Sequence, residues 1–176
     1  VVGGELLKGS VRVGDKLWIG PNNNKYKQIT IRSIHCKRVS VQEVESGCYV
    51  CLAVKGVDKE EIKKGNVIVR DSSQLVLCKK FRARIEVLQT HSTTIQLGYC
   101  PILHAMNVRT VAKLIDICNK IDKRDVKESK ESILRTGDTA DIILELNKSY
   151  FIKKGTNILL CEGRTKVVGV ITKILK

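Results

Sequence analysis

Two of the seven cysteines have a spacing that is typical of metal or redox sites. Cys48 and Cys51 have CxxC spacing. In proteins that use this motif, the two thiolates bind zinc or take part in thiol–disulfide exchange. In an extended strand, however, residues three positions apart point to opposite faces, and no second CxxC or pair of histidines accompanies this one. The odd total and the even spacing favour reduced, mostly core cysteines of an intracellular protein. A redox enzyme or hydrolase that uses Cys48 and Cys51 is therefore the least favoured hypothesis.

A second motif concerns nucleotide binding. Asn119, Lys120 and Asp122 spell NKxD after the apolar run LIDIC, which is the guanine-reading signature of GTP-binding domains. That chemistry requires a parallel α/β sheet and a phosphate-cradling GxxxxGK[ST] loop, and the sequence has no such loop. We therefore expect the motif to be a coincidence and this chain to bind no GTP. Because nucleophile elbows and HExxH motifs are also missing from the sequence, it predicts no catalytic residues and no metal ligands.

The net charge indicates a partner rich in phosphate. The 176 residues contain 32 lysines and arginines against 18 acidic residues, which gives a formal charge of +14. A merely soluble basic domain is the plain alternative. Since only 4% of the residues are aromatic, contacts to an RNA backbone or to RNA shape are favoured over base stacking. One basic cluster comprises His35, Lys37 and Arg38.

The elements that must carry these residues are short strands separated by glycine turns. Residues 11–20 read as two strands around a turn, and residues 27–34 and 81–88 alternate apolar with polar side chains. One short helical turn is expected at residues 58–65, with Asp58 as its cap. Many short strands with such turns predict a sandwich or barrel. A polar stretch between the two halves suggests domains at 1–72 and 78–176, joined by a linker at 73–77.

Two further segments of the second half carry expectations. Residues 119–132 are highly charged with mixed sign, so we expect a solvated loop between two strands. Residues 162–175 form a β-branched strand with Arg164 and Lys166 at the turn that opens it. The lone Gly169 inside this strand predicts a bulge, a bend or the close approach of another backbone or a ligand; we favour the bend that barrel closure demands.

Five segments in this order resemble the second and third domains of elongation factor Tu and elongation factor one-alpha. They are GELLKGSVRVGDKL, KGVDKEEIKKGNVIV, FRARIEVL, LRTGDTADIILEL and EGRTKVVGVITKIL, and together they cover essentially the whole chain. SIHCKR, VQEVESG and HSTTI are most similar to the eukaryotic branch of GTP-binding protein one.

The resemblance implies an all-β fold of two tandem antiparallel β-barrels that follow a GTPase domain outside this chain. We also expect a fragment, because the chain begins at Val1 without a methionine. The implied function is non-catalytic: binding of tRNA or ribosomal RNA and docking of the protein's own GTPase domain, which would hold GTP with Mg²⁺. A protein-interaction module that recruits RNA-decay or ribosome-rescue partners is the alternative. A nucleotide exchange factor or RNA-decay proteins are further expected partners. A cytoplasmic protein is expected, and the sequence has no long apolar run that would span a membrane.

The resemblance also carries over to individual residues of the first domain. Arg38 falls where the family has an arginine near the groove for the acceptor end of tRNA. Gly47 matches the glycine of a turn in which an acidic residue and an asparagine follow, and here these two positions are Cys48 and Tyr49.

In the second half of the chain, Arg164 and Lys166 match the turn that the family presents to the tRNA backbone. We also expect the loop that contains His91 to approach the RNA stem. For Arg164 an ion pair with Glu162 or Asp138 is an equal alternative, and for His91 a local hydrogen bond is the alternative. The RNA-binding candidates are thus Arg38, Lys37, His35, Tyr49, His91, Arg164 and Lys166.

Overall fold

The computed structural model describes residues 1–71, 77–88, 94–121, 128–129 and 133–175. The chain divides into two compact units, Val1–Leu75 and Val76–Lys176. Residues 73–76 of the expected linker lie outside the described residues. In the described part of the chain, no helix has the length and apolar character needed to cross a membrane.

The first unit is an antiparallel sheet in which β7 and β4 lie in the middle. The sheet runs in the order β1-β7-β4-β3-β8, β5 pairs with β4, and β2 pairs separately with β6. No hydrogen-bonded pairing joins β1 to β8 among the described residues, so this unit is a curled half-barrel. Its strands are β1 (Val2–Leu6), β2 (Ser10–Arg12), β3 (Lys16–Asn22), β4 (Lys25–Cys36), β5 (Val39–Val41), β6 (Glu43–Glu45), β7 (Cys48–Lys55) and β8 (Val67–Val69).

The alternation predicted for β4 is confirmed, with one interruption. Ile29 and Ile31 are buried and Arg32 is exposed, as the pattern requires. A register irregularity between Ile31 and Ser33 then shifts the phase by one residue, so that Ile34 also faces the core. The predicted helical turn is confirmed as a short 3-10 helix, Lys59–Glu61, in which the backbone N–H of Asp58 donates to the Glu61 carboxylate at 3.0 Å.

The second unit is a closed barrel. β11 pairs with both β12 and β16, so the order β11-β16-β17-β9-β15-β12 returns to its start as a ring of six strands. The prediction of an all-β fold with tandem antiparallel barrels is confirmed. The strands are β9 (Leu77–Val87), β10 (Thr94–Gln96), β11 (Ile102–Ala105), β12 (Val108–Ile121), β13 (Glu128–Ser129), β14 (Ile133–Arg135), β15 (Thr139–Phe151), β16 (Asn157–Glu162) and β17 (Thr165–Leu175).

Gly169 lies in β17 where β9 passes very close. It is opposite Ile85 of β9, and a Cβ atom at Gly169 would overlap the carbonyl oxygen of Arg84 and lie 2.7 Å from Cγ2 of Ile85. The irregularity in the pairing of β17 with β9 falls between Ile171 and Lys173. The close approach of another backbone, rather than the favoured bend, therefore explains the glycine.

The expectation of a solvated loop at 119–132 is wrong for its first residues. β12 continues to Ile121, and the Lys120 side chain is only 2% exposed. A charged composition normally indicates solvent exposure, but here the ammonium group is paired with the buried carboxylate of Asp138 at 3.2 Å. Residues 122–127 and 130–132 lie outside the described residues.

Candidate nucleic-acid interface

Two adjacent cations form the turn between β4 and β5. Lys37 and Arg38 are exposed and have φ angles of 50° and 68°, the left-handed region that a type I′ hairpin turn requires at both central residues. Glycine and asparagine are the usual residues here, and any other residue is disfavoured by about 1 kcal/mol or more. The pair Cys36 and Val39 closes the hairpin below the turn. The fold thus holds two positive side chains at this tip in a strained backbone.

The other two candidates of the first unit lie beside this hairpin. His35 of β4 is exposed and is opposite Cys51 of β7, which is also exposed. Tyr49, two residues earlier on β7, is 76% exposed and is opposite Glu5 of β1. The last pair of β4 with β7 is Cys36 with Val50. Tyr49 immediately precedes Val50, so it lies next to the turn that follows Cys36. The structure therefore brings His35, the two cations and Tyr49 to one end of the outer sheet face.

Three further cations extend this outer face, and sequence reasoning missed them. Lys16 of β3 and Lys55 of β7 both pair with Thr30 of β4, so they lie in one row across three strands. Arg32 is at the register irregularity of β4, and all three side chains are exposed. The sequence shows that these three cations alternate with apolar residues. It does not show which strands pair, and only the strand register places the three cations in line with the hairpin.

None of these cations has a carboxylate partner in the described part of the chain. Other cations of the first unit are neutralised: Arg12 by Glu43 at 2.8 Å, Lys27 by Glu61 at 2.7 Å and Arg70 by Asp15 at 3.0 Å. An uncompensated, exposed cluster of this kind attracts anions, and most strongly a polyanion. We name it the basic face; it comprises Lys16, Arg32, His35, Lys37, Arg38 and Lys55.

In the second unit the candidates lie at the turn between β16 and β17. Arg164 and Lys166 are both exposed, and Gly163 begins the turn with a φ of 54°. Arg164 also has an interaction of its own within the chain, and its contact with RNA stays a prediction. Asp138, one of the two carboxylates considered for it, is buried and accepts from the backbone N–H of Arg135 at 2.7 Å. His91 lies outside the described residues.

The NKxD residues are part of the barrel structure. Asn119 donates to Asp141 at 3.0 Å, and Arg84 binds the same carboxylate through Nε and Nη2 at 2.6 and 2.9 Å. The hydrogen bond from Arg84 is the largest cause that lowers the pKa of Asp141, and the one from Asn119 adds to it. The neighbouring Lys120 is held by Asp138, and both motif residues lie in an antiparallel sheet. Asp122 lies outside the described residues.

The CxxC residues diverge as the strand geometry predicts. Cys48 is half-buried and packs against the core of the first unit, whereas Cys51 is exposed on the outer face. Among residues that the structure describes, no group of three or more His, Cys, Asp or Glu side chains is arranged to hold a metal ion.

The fold is a pair of antiparallel β-barrel units, and the first of them carries the basic face. The family model described as Elongation factor Tu domain 2 matches residues 1–69, and the model described as Elongation factor Tu C-terminal domain matches residues 74–175. The chain belongs to this elongation factor Tu family and corresponds to its second and C-terminal domains.

Relatives of known identity agree with this assignment. GTP-binding protein 1 of Xenopus laevis is 33% identical over 100% of this chain and 25% of its own length. Elongation factor 1-alpha of Archaeoglobus fulgidus is 32% identical over 88% of the chain and 36% of its own length. The crystal structure of sup35 with GDP superposes with a TM-score of 0.83 at 21% identity, covering 99% of this chain and 44% of that one. The chain thus spans about a quarter to two fifths of the relatives it matches.

Proposed function

We propose that this chain forms the non-catalytic, RNA-binding barrels of a translational GTPase. The observation that carries the proposal is the basic face, with its two cations held at a strained hairpin tip. In this proposal GTP and Mg²⁺ bind to a separate GTPase domain of the whole protein, which hydrolyses GTP in the cytoplasm. The names of two similar proteins, GTP-binding protein 1 and GTP-binding protein 2, support the nucleotide part of the proposal.

The dimensions of the basic face suit a stretch of RNA backbone. Lys16 and Lys55 are separated by two strand spacings, about 10 Å, and β4 extends from Thr30 to the hairpin tip over about 23 Å. Lysine and arginine side chains along such a surface neutralise phosphates and release counterions, which supplies affinity without base readout. Tyr49 adds one exposed ring on which a single unpaired base can stack. We infer that the ligand is tRNA or ribosomal RNA, bound chiefly through its backbone.

Charge reversal at the hairpin should weaken RNA binding and reduce its dependence on salt. For the double variant Lys37→Glu and Arg38→Glu we expect the slope of log affinity against log salt to fall by about 2, since each lost phosphate contact removes about 1. Reversal of Arg164 and Lys166 should have a similar effect if both contact phosphate. Fluorescence anisotropy titrations with labelled tRNA over a range of KCl concentrations measure the slope.

The matched control is Lys63→Glu with Lys64→Glu, an exposed lysine pair of the same unit that lies off the basic face. This variant has the same net charge and should keep most of the slope. If the salt slope falls equally in both variants, tRNA binding depends on the total charge of the chain and not on the basic face. A wild-type chain that binds tRNA and ribosomal RNA no better than heparin at low salt would refute the proposal.

A second candidate function, protein docking, is favoured by an apolar strip on the outer wall of the closed barrel. Val111 is opposite Ile102, Leu159 is opposite Val168, and Val170 follows on the same face of β17. Four of these side chains are 36–50% exposed, which is unusual for neighbouring large apolar residues. We infer that the nucleotide-binding domain implied by the resemblance covers this strip; an exchange factor or an RNA-decay protein is the alternative occupant.

Polar substitution of the strip should reduce protein capture without changing RNA binding. For Val168→Ser combined with Val170→Ser we expect a clear loss of partner in a pull-down carried out after nuclease treatment, because apolar burial drives such docking. Leu97→Ser, which changes another exposed apolar residue of the same unit, is the control. Capture that disappears with nuclease in the wild type would show that RNA, and not this strip, joins the partners.

A further inference from the structure

Two cysteines of the first unit lie on the same sheet face below the hairpin. Cys36 ends β4 and pairs with Val50 of β7, and Cys48 begins β7 two residues before Val50. Residues two apart on a strand share a face, so the two side chains are diagonal neighbours. Both are half-buried and pack against the same core cluster.

The other cysteines do not compete for this contact within the described part of the chain. Cys51 is exposed on the opposite sheet face, where its Sγ lies beside Gly3. The remaining four belong to the second unit and are Cys78, Cys100, Cys118 and Cys161. The sequence motif CxxC therefore does not mark the neighbouring pair; the strand register does.

We propose that Cys36 and Cys48 form a reversible disulfide that controls the position of the hairpin. The regulatory part rests on the proposed function, because the hairpin carries Lys37 and Arg38 of the basic face. The bond joins the residue immediately before Lys37 to the residue immediately before Tyr49. A disulfide requires Cβ atoms about 3.8 Å apart, which is closer than diagonal neighbours normally lie, so the hairpin base must move toward β7.

The chemistry is thiol–disulfide exchange with a low-molecular-weight disulfide. The Cys48 thiolate attacks one sulfur of the reagent, forms a mixed disulfide and releases one thiolate, which takes up a proton. Cys36 then loses its proton and attacks the sulfur of Cys48, and a second thiol molecule leaves. Two protein thiols are oxidised and one reagent disulfide is reduced to two thiols. Partial burial and the neighbouring Cys48 raise the pKa of Cys36, which lowers its thiolate fraction and disfavours it as the group that attacks the free reagent.

The first measurement is bond formation in the full chain, with oxidised glutathione as the probe. We expect the loss of two of the seven thiols and a mass decrease of two hydrogens, with a peptide map that joins Cys36 to Cys48. Cys48→Ser should abolish the bond, and Cys51→Ser should leave it intact. Since the map is made on the wild-type chain, it decides the question even if a variant fails to fold. A bond between other cysteines, or mixed disulfides alone, would overturn the proposal.

The second measurement compares tRNA affinity of the oxidised and reduced chains by anisotropy. We expect several-fold weaker binding after oxidation, full recovery with dithiothreitol and no change in Cys48→Ser. If the bond forms and the affinity is unchanged, control of the hairpin is refuted while the RNA role stands. If the reduced chain binds no RNA, the proposed function fails, and the regulatory part fails with it.

Discussion

Replacing Gly169 by alanine is expected to lower the free energy of unfolding of the closed barrel by about 3 kcal/mol. The added methyl group would overlap the Arg84 carbonyl oxygen and lie 2.7 Å from Cγ2 and 3.1 Å from Cα of Ile85. Two of these three atoms belong to the backbone of β9, which is held between β17 and β15 and cannot yield by a rotamer change. Relief therefore requires the two strands to separate, at the expense of their hydrogen bonds.

Two spectroscopic signals distinguish the two units in this experiment. Trp18 is the only tryptophan and lies in the first unit, so its fluorescence follows the half-barrel, whereas far-ultraviolet circular dichroism follows both units. The Gly169→Ala variant should lose its circular dichroism signal at a lower urea concentration than the wild type. The unfolding transition followed by Trp18 fluorescence should stay unchanged. Gly4→Ala is the control, because a Cβ atom there meets nothing within 4 Å. Equal urea midpoints for wild type and Gly169→Ala would show that the barrel accommodates the methyl group.

Removal of the buried ammonium group by Lys120→Met should destabilise the same barrel by about 3–5 kcal/mol. The Lys120 and Asp138 side chains are 2% and 1% exposed, so the change leaves a carboxylate charge in the interior without its cation. The hydrogen bond from the Arg135 backbone at 2.7 Å remains, but one such bond does not replace the ion pair. Urea unfolding followed by circular dichroism gives the loss.

Two further variants separate the charge effect from the loss of the side chain. Lys113→Met, at an exposed position of the same strand, should change stability by less than about 0.5 kcal/mol. Adding Asp138→Asn to Lys120→Met removes the uncompensated charge and keeps an acceptor for Arg135, so part of the stability should return. If the double variant is no more stable than Lys120→Met, a cause other than buried charge is responsible.

Much of the fold follows from local pattern, because alternation and glycine turns are properties of neighbouring residues. The buried positions of β4, the short turn after Asp58 and the β-branched final strand were all predicted in this way. The burial of the Lys120 side chain was not predicted, because its partner Asp138 lies in a distant part of the sequence. A lysine in a mixed charge run indicates a surface unless the pairing of distant segments is known.

The candidate site was likewise predictable only where its residues are neighbours in the sequence. His35, Lys37 and Arg38 stand together in the sequence, so their cluster was visible. Lys16 and Lys55 join it only through the register of three strands, and a register shift of one residue would turn each of them to the other face. The left-handed backbone of Lys37 and Arg38 also escaped prediction, because neither residue type favours that conformation.

The closed ring of the second unit has a consequence for assembly. Each of its six strands has hydrogen-bonded neighbours on both sides, so the ring, as far as the structure describes it, presents no free strand edge to another molecule. In the first unit the described pairings leave β1 and β8 at the two ends of the sheet, and β1 carries Gly3 and Gly4, whose lack of side chains leaves its backbone accessible. Within the described residues, the two ends of this sheet are therefore open to edge-to-edge association in the unit that carries the basic face.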